Sequence, residues 1–89
     1  MQVDNEKILQ IIFGNIVRKH RKEYTDQSLN NFAHSFDIGK GHMSMIENGK
    51  VCCSLITAWK IAQGFNMKLS DLIKILEKEL GEDFTLIDE

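Results

Sequence analysis

Few residues in this 89-residue chain could do covalent or metal chemistry, and their spacing argues against it. His20, His34 and His42 are scattered, and Cys52 and Cys53 are adjacent. Zinc ligands usually come in pairs separated by roughly two to four residues, so neither set implies a metal site. Adjacent cysteines rarely form a disulfide, because closing it strains the peptide between them. Two reduced thiols fit a reducing compartment. Glu47 is accompanied by no nucleophile or second acid, so no general acid–base pair can be drawn. Neither an enzymatic activity nor a cofactor is expected. What remains is phosphate chemistry. The run Arg18-Lys19-His20-Arg21-Lys22 is the densest group of cations in the chain, and a local basic patch can hold phosphates whatever the net charge.

The overall charge does not by itself favour an anionic partner: the net value is −2. It is unevenly spread, however. Residues 1–50 hold seven Lys and Arg against six Asp and Glu, whereas residues 51–89 hold four against seven. The acidic excess therefore belongs mainly to the last helix and the tail. An apolar fraction of 43% is that of a globular protein, and a chain of this length builds one core. No apolar run approaches the roughly 20 residues that span a bilayer. The amino terminus, Met-Gln-Val-Asp-Asn-Glu, lacks the basic region of a secretory signal. A cytoplasmic location and no membrane association are expected.

The elements that must position these groups read as five helices with no strand. The first spans about 5–22, with Ile8, Ile12, Phe13, Ile16, Val17 and His20 recurring at three and four. Asp4 or Asn5 can cap it. Ser28 caps the second helix, which shows Phe32, Ala33 and Phe36 on one face. Asp37-Ile38-Gly39 forms a tight turn, with Gly39 as its small hinge, and a third helix follows over about 40–48. Met43 and Ile46 are its apolar positions, and Gly49 stands just past its end. Ser54 caps a fourth helix with Leu55, Ala58, Trp59, Ile61, Ala62 and Phe65 as its apolar set, Trp59 being read as core. Ser70 caps a fifth, lined by Leu72, Ile73, Leu76 and Leu80 and stopped by Gly81. The domain is expected to occupy 1–81, with 82–89 as an acidic and apolar tail. Two short helices joined by such a turn form a helix-turn-helix, which usually presents its second helix to a DNA major groove.

The order of motifs resembles the lambda-repressor-like helix-turn-helix family of bacterial and phage regulators. The likeness runs from about Phe13 to Leu72. It includes Gly14-Asn-Ile-Val-Arg-Lys-His-Arg21 and the stretch from Ser28 to Ala33. It continues with Ile38-Gly39-Lys40-Gly41-His42-Met43-Ser44-Met45-Ile46-Glu47-Asn48-Gly49-Lys50 and ends with Ser54-Leu55, Thr57, Lys60-Ile61-Ala62 and Leu69-Ser70-Asp71-Leu72. The resemblance implies a compact all-α domain that binds double-stranded DNA and regulates transcription, as a repressor in the family's usual sense. Three departures stand out. Leu29 occupies the position where the family usually has a phosphate-touching Gln, the first loop is one residue longer, and Cys53 stands where Pro is common.

The resemblance also implies roles for individual residues. Ser28 and the Leu29 backbone would meet one phosphate at a helix amino end. Asn48 and Lys50 would meet another beyond the recognition helix. Lys40, Gly41, His42, Ser44 and Met45 would face the groove, with Lys40 able to donate to guanine O6 and N7, Ser44 doing structural work and Met45 offering only apolar contact. Arg21, closing helix one, would pair with Glu47 in a structural ion pair. This set is poor in Arg, Gln and Asn for reading bases, so two copies on DNA would help. A homodimer is expected through helix five and the tail, where Phe84, Leu86 and Ile87 follow Gly81; a fold-back of the tail on helix one would cover the same residues. An interaction module, such as the antitoxin of a toxin–antitoxin pair, is the alternative for the whole chain.

Overall fold

The computed structural model describes residues 4–87. They form α1 (Asn5–Tyr24), α2 (Leu29–Ser35), α3 (Lys40–Glu47), α4 (Leu55–Gly64) and α5 (Leu69–Leu80), with no strand among the described residues. Asp4 caps α1 by accepting from the Glu6 amide, and the helix runs two residues beyond the expected 22. The Ser28 and Ser54 hydroxyls cap α2 and α4, accepting from the Asn31 and Thr57 amides at 3.1 and 3.2 Å.

Three of the helices end in the same way. After α2, α3 and α4, one residue takes a left-handed conformation: Asp37 (φ 56°), Gly49 (φ 70°) and Asn66 (φ 58°). In each case the next amide reaches back to a carbonyl five residues earlier: Ile38 to Ala33, Lys50 to Met45 and Met67 to Ala62, at 2.8–3.0 Å. These are Schellman closures, and they fix the angle at which the next helix leaves. The first corrects the sequence expectation. Asp37, not Gly39, supplies the turn's left-handed residue, since Gly39 has an ordinary φ of −59°. Asn and Asp tolerate this conformation because their short side chains can bond locally. Lys60 of α4 secures the turn, donating from Nζ to the Asp37 carbonyl at 2.9 Å.

A second correction concerns α5. It begins at Leu69 with Lys68 as its cap, without a side-chain cap bond, so Ser70 falls inside the first turn. The closure at Asn66 returns the chain so abruptly that Asp71 and Leu72 already donate to the Lys68 carbonyl.

The core is one cluster in which Val17, Phe32, Ala33, Met43, Ile46, Ile61, Ala62 and Leu72 are wholly buried. Helix α4 enters it through Ala58, Ile61 and Ala62, its buried residues, with Gly64 against Phe32. Leu55 and Trp59, expected in the core, are 68% and 53% exposed, and Ile56 is 70% exposed. The reason is geometric: each residue turns about 100° around a helix, and one stripe suffices to cover a core of this size. Past Gly81, the chain turns back towards the start of α1, where Asn5 Nδ2 donates to the Thr85 carbonyl at 2.7 Å. Phe84 is thereby half-buried, whereas Leu86 and Ile87 stay exposed.

Candidate nucleic-acid interface

The site is built on the junction of α1 and α3. Helix α3 is eight residues long and divides cleanly into two sides. Met43, Ile46 and Glu47 are buried; Lys40, Gly41, His42 and Met45 are exposed, and Ser44 is half-buried. The close approach of α1 makes this division possible. A Cβ added at Gly14 would stand 2.2 Å from the Ile46 carbonyl oxygen and 2.9 Å from that of Glu47. The two helix backbones therefore meet where only glycine fits. Gly49 contributes in the same way, lying against the Ile11 backbone.

Glu47 is buried at this crossing together with Arg21. Arg21 Nε donates to Glu47 Oε2 at 2.7 Å and Nη2 to Oε1 at 3.0 Å, a bidentate pair. Arg21 Nη1 reaches on to the Gln27 carbonyl at 3.2 Å, which ties the loop before α2 to the same centre. The bond to Glu47 pushes the guanidinium further above its ordinary range, against the burial that opposes its charge. No buried side-chain nitrogen or oxygen among the described residues lacks a partner. The acid thus has a structural role: it joins the end of α3 to α1 and leaves the outer side of α3 clear.

The residues expected to meet DNA fall in three places. Lys40, Gly41, His42 and Met45 share the open side of α3. A Cβ at Gly41 would meet nothing within 4 Å, so no contact inside the protein requires glycine there. Asn48 and Lys50 are exposed beyond the other end of α3. Ser28 is exposed at the start of α2, whereas the Leu29 side chain is half-buried against the core and leaves only its backbone for a ligand. Asn48 is already engaged: its Oδ1 accepts from Arg18 Nη2 at 2.8 Å, and its Nδ2 donates to the Ser44 carbonyl at 2.8 Å.

Arg18 belongs to the site as an individual, whereas in the sequence it stands out only as part of the basic run. The signal was its position one turn before Arg21, because residues three apart share a helix face.

The remaining reactive residues stay apart from this site. His20 is half-buried; its Nδ1 lies 3.0 Å from the Ile16 carbonyl, and its ring rests against Tyr24 and Phe65. Cys52 is exposed. Burial, helped by the neighbouring Cys52, pushes the Cys53 thiol up to about 11, which keeps it protonated and unreactive at neutral pH. No helix among the described residues is long and apolar enough to cross a membrane.

Comparison with known proteins agrees with this geometry. The chain is 44% identical over 71 residues to control protein C.MunI of a Mycoplasma species, a match covering 80% of this chain and 96% of that protein. Among solved structures, an HTH_3 family transcriptional regulator from Vibrio cholerae superposes on 84% of this chain with a TM-score of 0.71. Identity there is 24%, and the shared part is 42% of the Vibrio chain, so this likeness shows the fold alone. No protein-family model matches the chain.

Proposed function

The chain belongs to the lambda-repressor-like helix-turn-helix family, with control protein C.MunI as a relative, and on that premise we propose that it regulates transcription by laying α3 in the major groove of duplex DNA. One observation carries this reading. An eight-residue helix, anchored from beneath by a buried ion pair and a glycine crossing, holds Lys40, Gly41, His42 and Met45 outward with nothing in the described chain to cover them. In the proposed complex Lys40 reads a base, Gly41 lets the helix backbone come close, and His42 and Met45 complete the contact, while the half-buried Ser44 holds Asn48 through its carbonyl. Lys50, Ser28 and the Leu29 amide would hold phosphates on either side, positioning the helix without reading sequence, with Asn48 beside Lys50 engaged by Arg18 and the Ser44 carbonyl. A DNA-binding role places the chain with the DNA, which in a bacterium is the cytoplasm.

The division of labour between the two lysines tests this assignment. Lys40→Ala should reduce discrimination between a matched and a scrambled duplex by about 1–3 kcal/mol. Lys50→Ala should weaken binding to both by the same factor. Equal behaviour of the two variants on the two duplexes would refute it.

A second copy of the chain is part of the proposal, through α4 and α5 rather than through α5 and the tail. The tail turns towards α1, whereas Leu55, Ile56 and Trp59 form the largest uncovered apolar ridge on one helix. A groove of ≈ 1190 Å³ between α4 and α5 adjoins it, lined in part by Trp59, Met67, Leu69 and Ile73. Ridge and groove side by side suit a two-fold contact, in which each copy offers both. Sedimentation at micromolar concentration should give a dimer that Trp59→Glu converts to a monomer without unfolding it. A wild-type monomer would overturn the dimer and favour the interaction-module reading, with the ridge left for another protein.

A further inference from the structure

The interface described above gives no role to Arg18, the cation that stands beside the end of α3. Arg18 stands on α1, and its side chain is 41% exposed. Its Nη2 donates to Asn48 Oδ1 at 2.8 Å, and its Nε lies 3.6 Å from Glu47 Oε1. Asn48 is itself held to α3 by its bond to the Ser44 carbonyl, with Ser44 Oγ at 3.4 Å. The guanidinium is therefore fixed at the carboxyl end of α3 by a bracket that belongs to α3.

Charge at this junction does not cancel. Both Glu47 oxygens bond to Arg21, so one carboxylate faces two guanidiniums. The excess positive charge falls on the exposed member, Arg18. A guanidinium has five N–H donors in a rigid fork suited to phosphate, and Asn48 takes one of them. Among the described residues, Nη1 has no protein partner. Because the fork is already oriented, less ordering would be needed when it met an anion. The carboxyl end of a helix is the negative end of its dipole, so a phosphate approaching there needs cations. Arg18 and Lys50 flank that end.

We infer that Arg18 is a further DNA-contact residue, binding a backbone phosphate beside the end of α3, and that Asn48 acts chiefly as the positioning residue that sets its guanidinium. This rests on the reading of the chain as a DNA-binding regulator. It adds a cation of α1 to Lys50 at this end of the interface.

Binding of a labelled mixed-sequence duplex, followed by anisotropy between about 50 and 200 mM salt, tests it. The proteins compared are wild type, Arg18→Gln, Arg18→Lys and Asn48→Ala, each with a thermal melt as a check on folding. Each phosphate contact adds about 0.9 to the slope of log affinity against log salt. Arg18→Gln should therefore bind more weakly with a slope reduced by about 0.9, its deficit shrinking about 3.5-fold across that salt range. Arg18→Lys and Asn48→Ala should bind more weakly with the slope retained, because both keep the charge and lose its orientation. A residue that merely staples α1 to α3 would shift the melt and leave the slope alone. An Arg18→Gln slope equal to that of wild type overturns the inference, and Asn48→Ala binding as tightly as wild type overturns the positioning role. A wild-type chain that binds no duplex even at about 50 mM salt overturns the DNA-binding reading itself, and this inference with it.

Discussion

Gly14→Ala should lower the melting temperature by roughly 10–20 °C, far beyond what an alanine in a helix normally does. Alanine is the better helix former, so on propensity alone the change would add up to about 1 kcal/mol of stability. At Gly14 the new Cβ would meet the Ile46 and Glu47 carbonyl oxygens at 2.2 and 2.9 Å. These are backbone atoms of a neighbouring helix and cannot rotate away. Helices α1 and α3 would have to separate, loosening Val17, Met43 and Ile46, all wholly buried. Overpacking costs about 1–3 kcal/mol and occasionally more, a clash with backbone belonging at the upper end, and each kcal/mol is worth about 4–8 °C in a domain of this size. Gly41→Ala is the matched control, because a Cβ there meets nothing. It should raise the melting temperature by a few degrees while weakening DNA binding. A Gly14→Ala melt within about 2 °C of wild type would show that the two backbones do not cross so closely.

Glu47→Gln should cost about 3–5 kcal/mol, because it leaves the Arg21 charge buried without its counter-ion. The amide can still accept one of the two bonds from Arg21, but it cannot neutralise the guanidinium. Since domains of this kind are stable by only about 5–15 kcal/mol in total, the loss is a large share. Replacing both partners by apolar residues, Arg21→Met with Glu47→Leu, should recover most of it, as no unpaired charge then remains. Chemical denaturation of the two variants beside wild type measures both effects. A Glu47→Gln protein as stable as wild type would contradict the bidentate buried pair.

The helix-turn-helix itself was legible in the sequence because its signals are local. Ser28 and Ser54 precede apolar runs at helical spacing, and Gly49 follows one; each acts where it was expected to act. Other features depend on what lies opposite. Trp59 and Leu55 look like core residues by type, and only the fit of Ala58 and Ala62 against the core shows which stripe of α4 turns inward. The start of α5 differs from the expected one because the closure at Asn66 overrides the cap signal of Ser70. Asp37 rather than Gly39 adopts the left-handed turn, a choice that Lys60, 23 residues away, helps to hold. At the candidate site, the inner positions Met43 and Ile46 of α3 followed from its apolar period, and the outward ones from the resemblance. The bond between Arg18 and Asn48 joins residues 30 apart and could be seen only once α1 was laid across α3.

Recognition of duplex DNA by α3 is tested most directly by selecting bound DNA from a random duplex pool and titrating the winner at rising salt. The expected result is enrichment of one short sequence, repeated with two-fold symmetry about 10 base pairs apart, whose affinity falls steeply and log-linearly with salt. Lys40→Ala should blur the enriched sequence at one position in each half. A pool that emerges with the composition it had on entry, from a folded protein at low salt, would contradict the claim that α3 reads DNA.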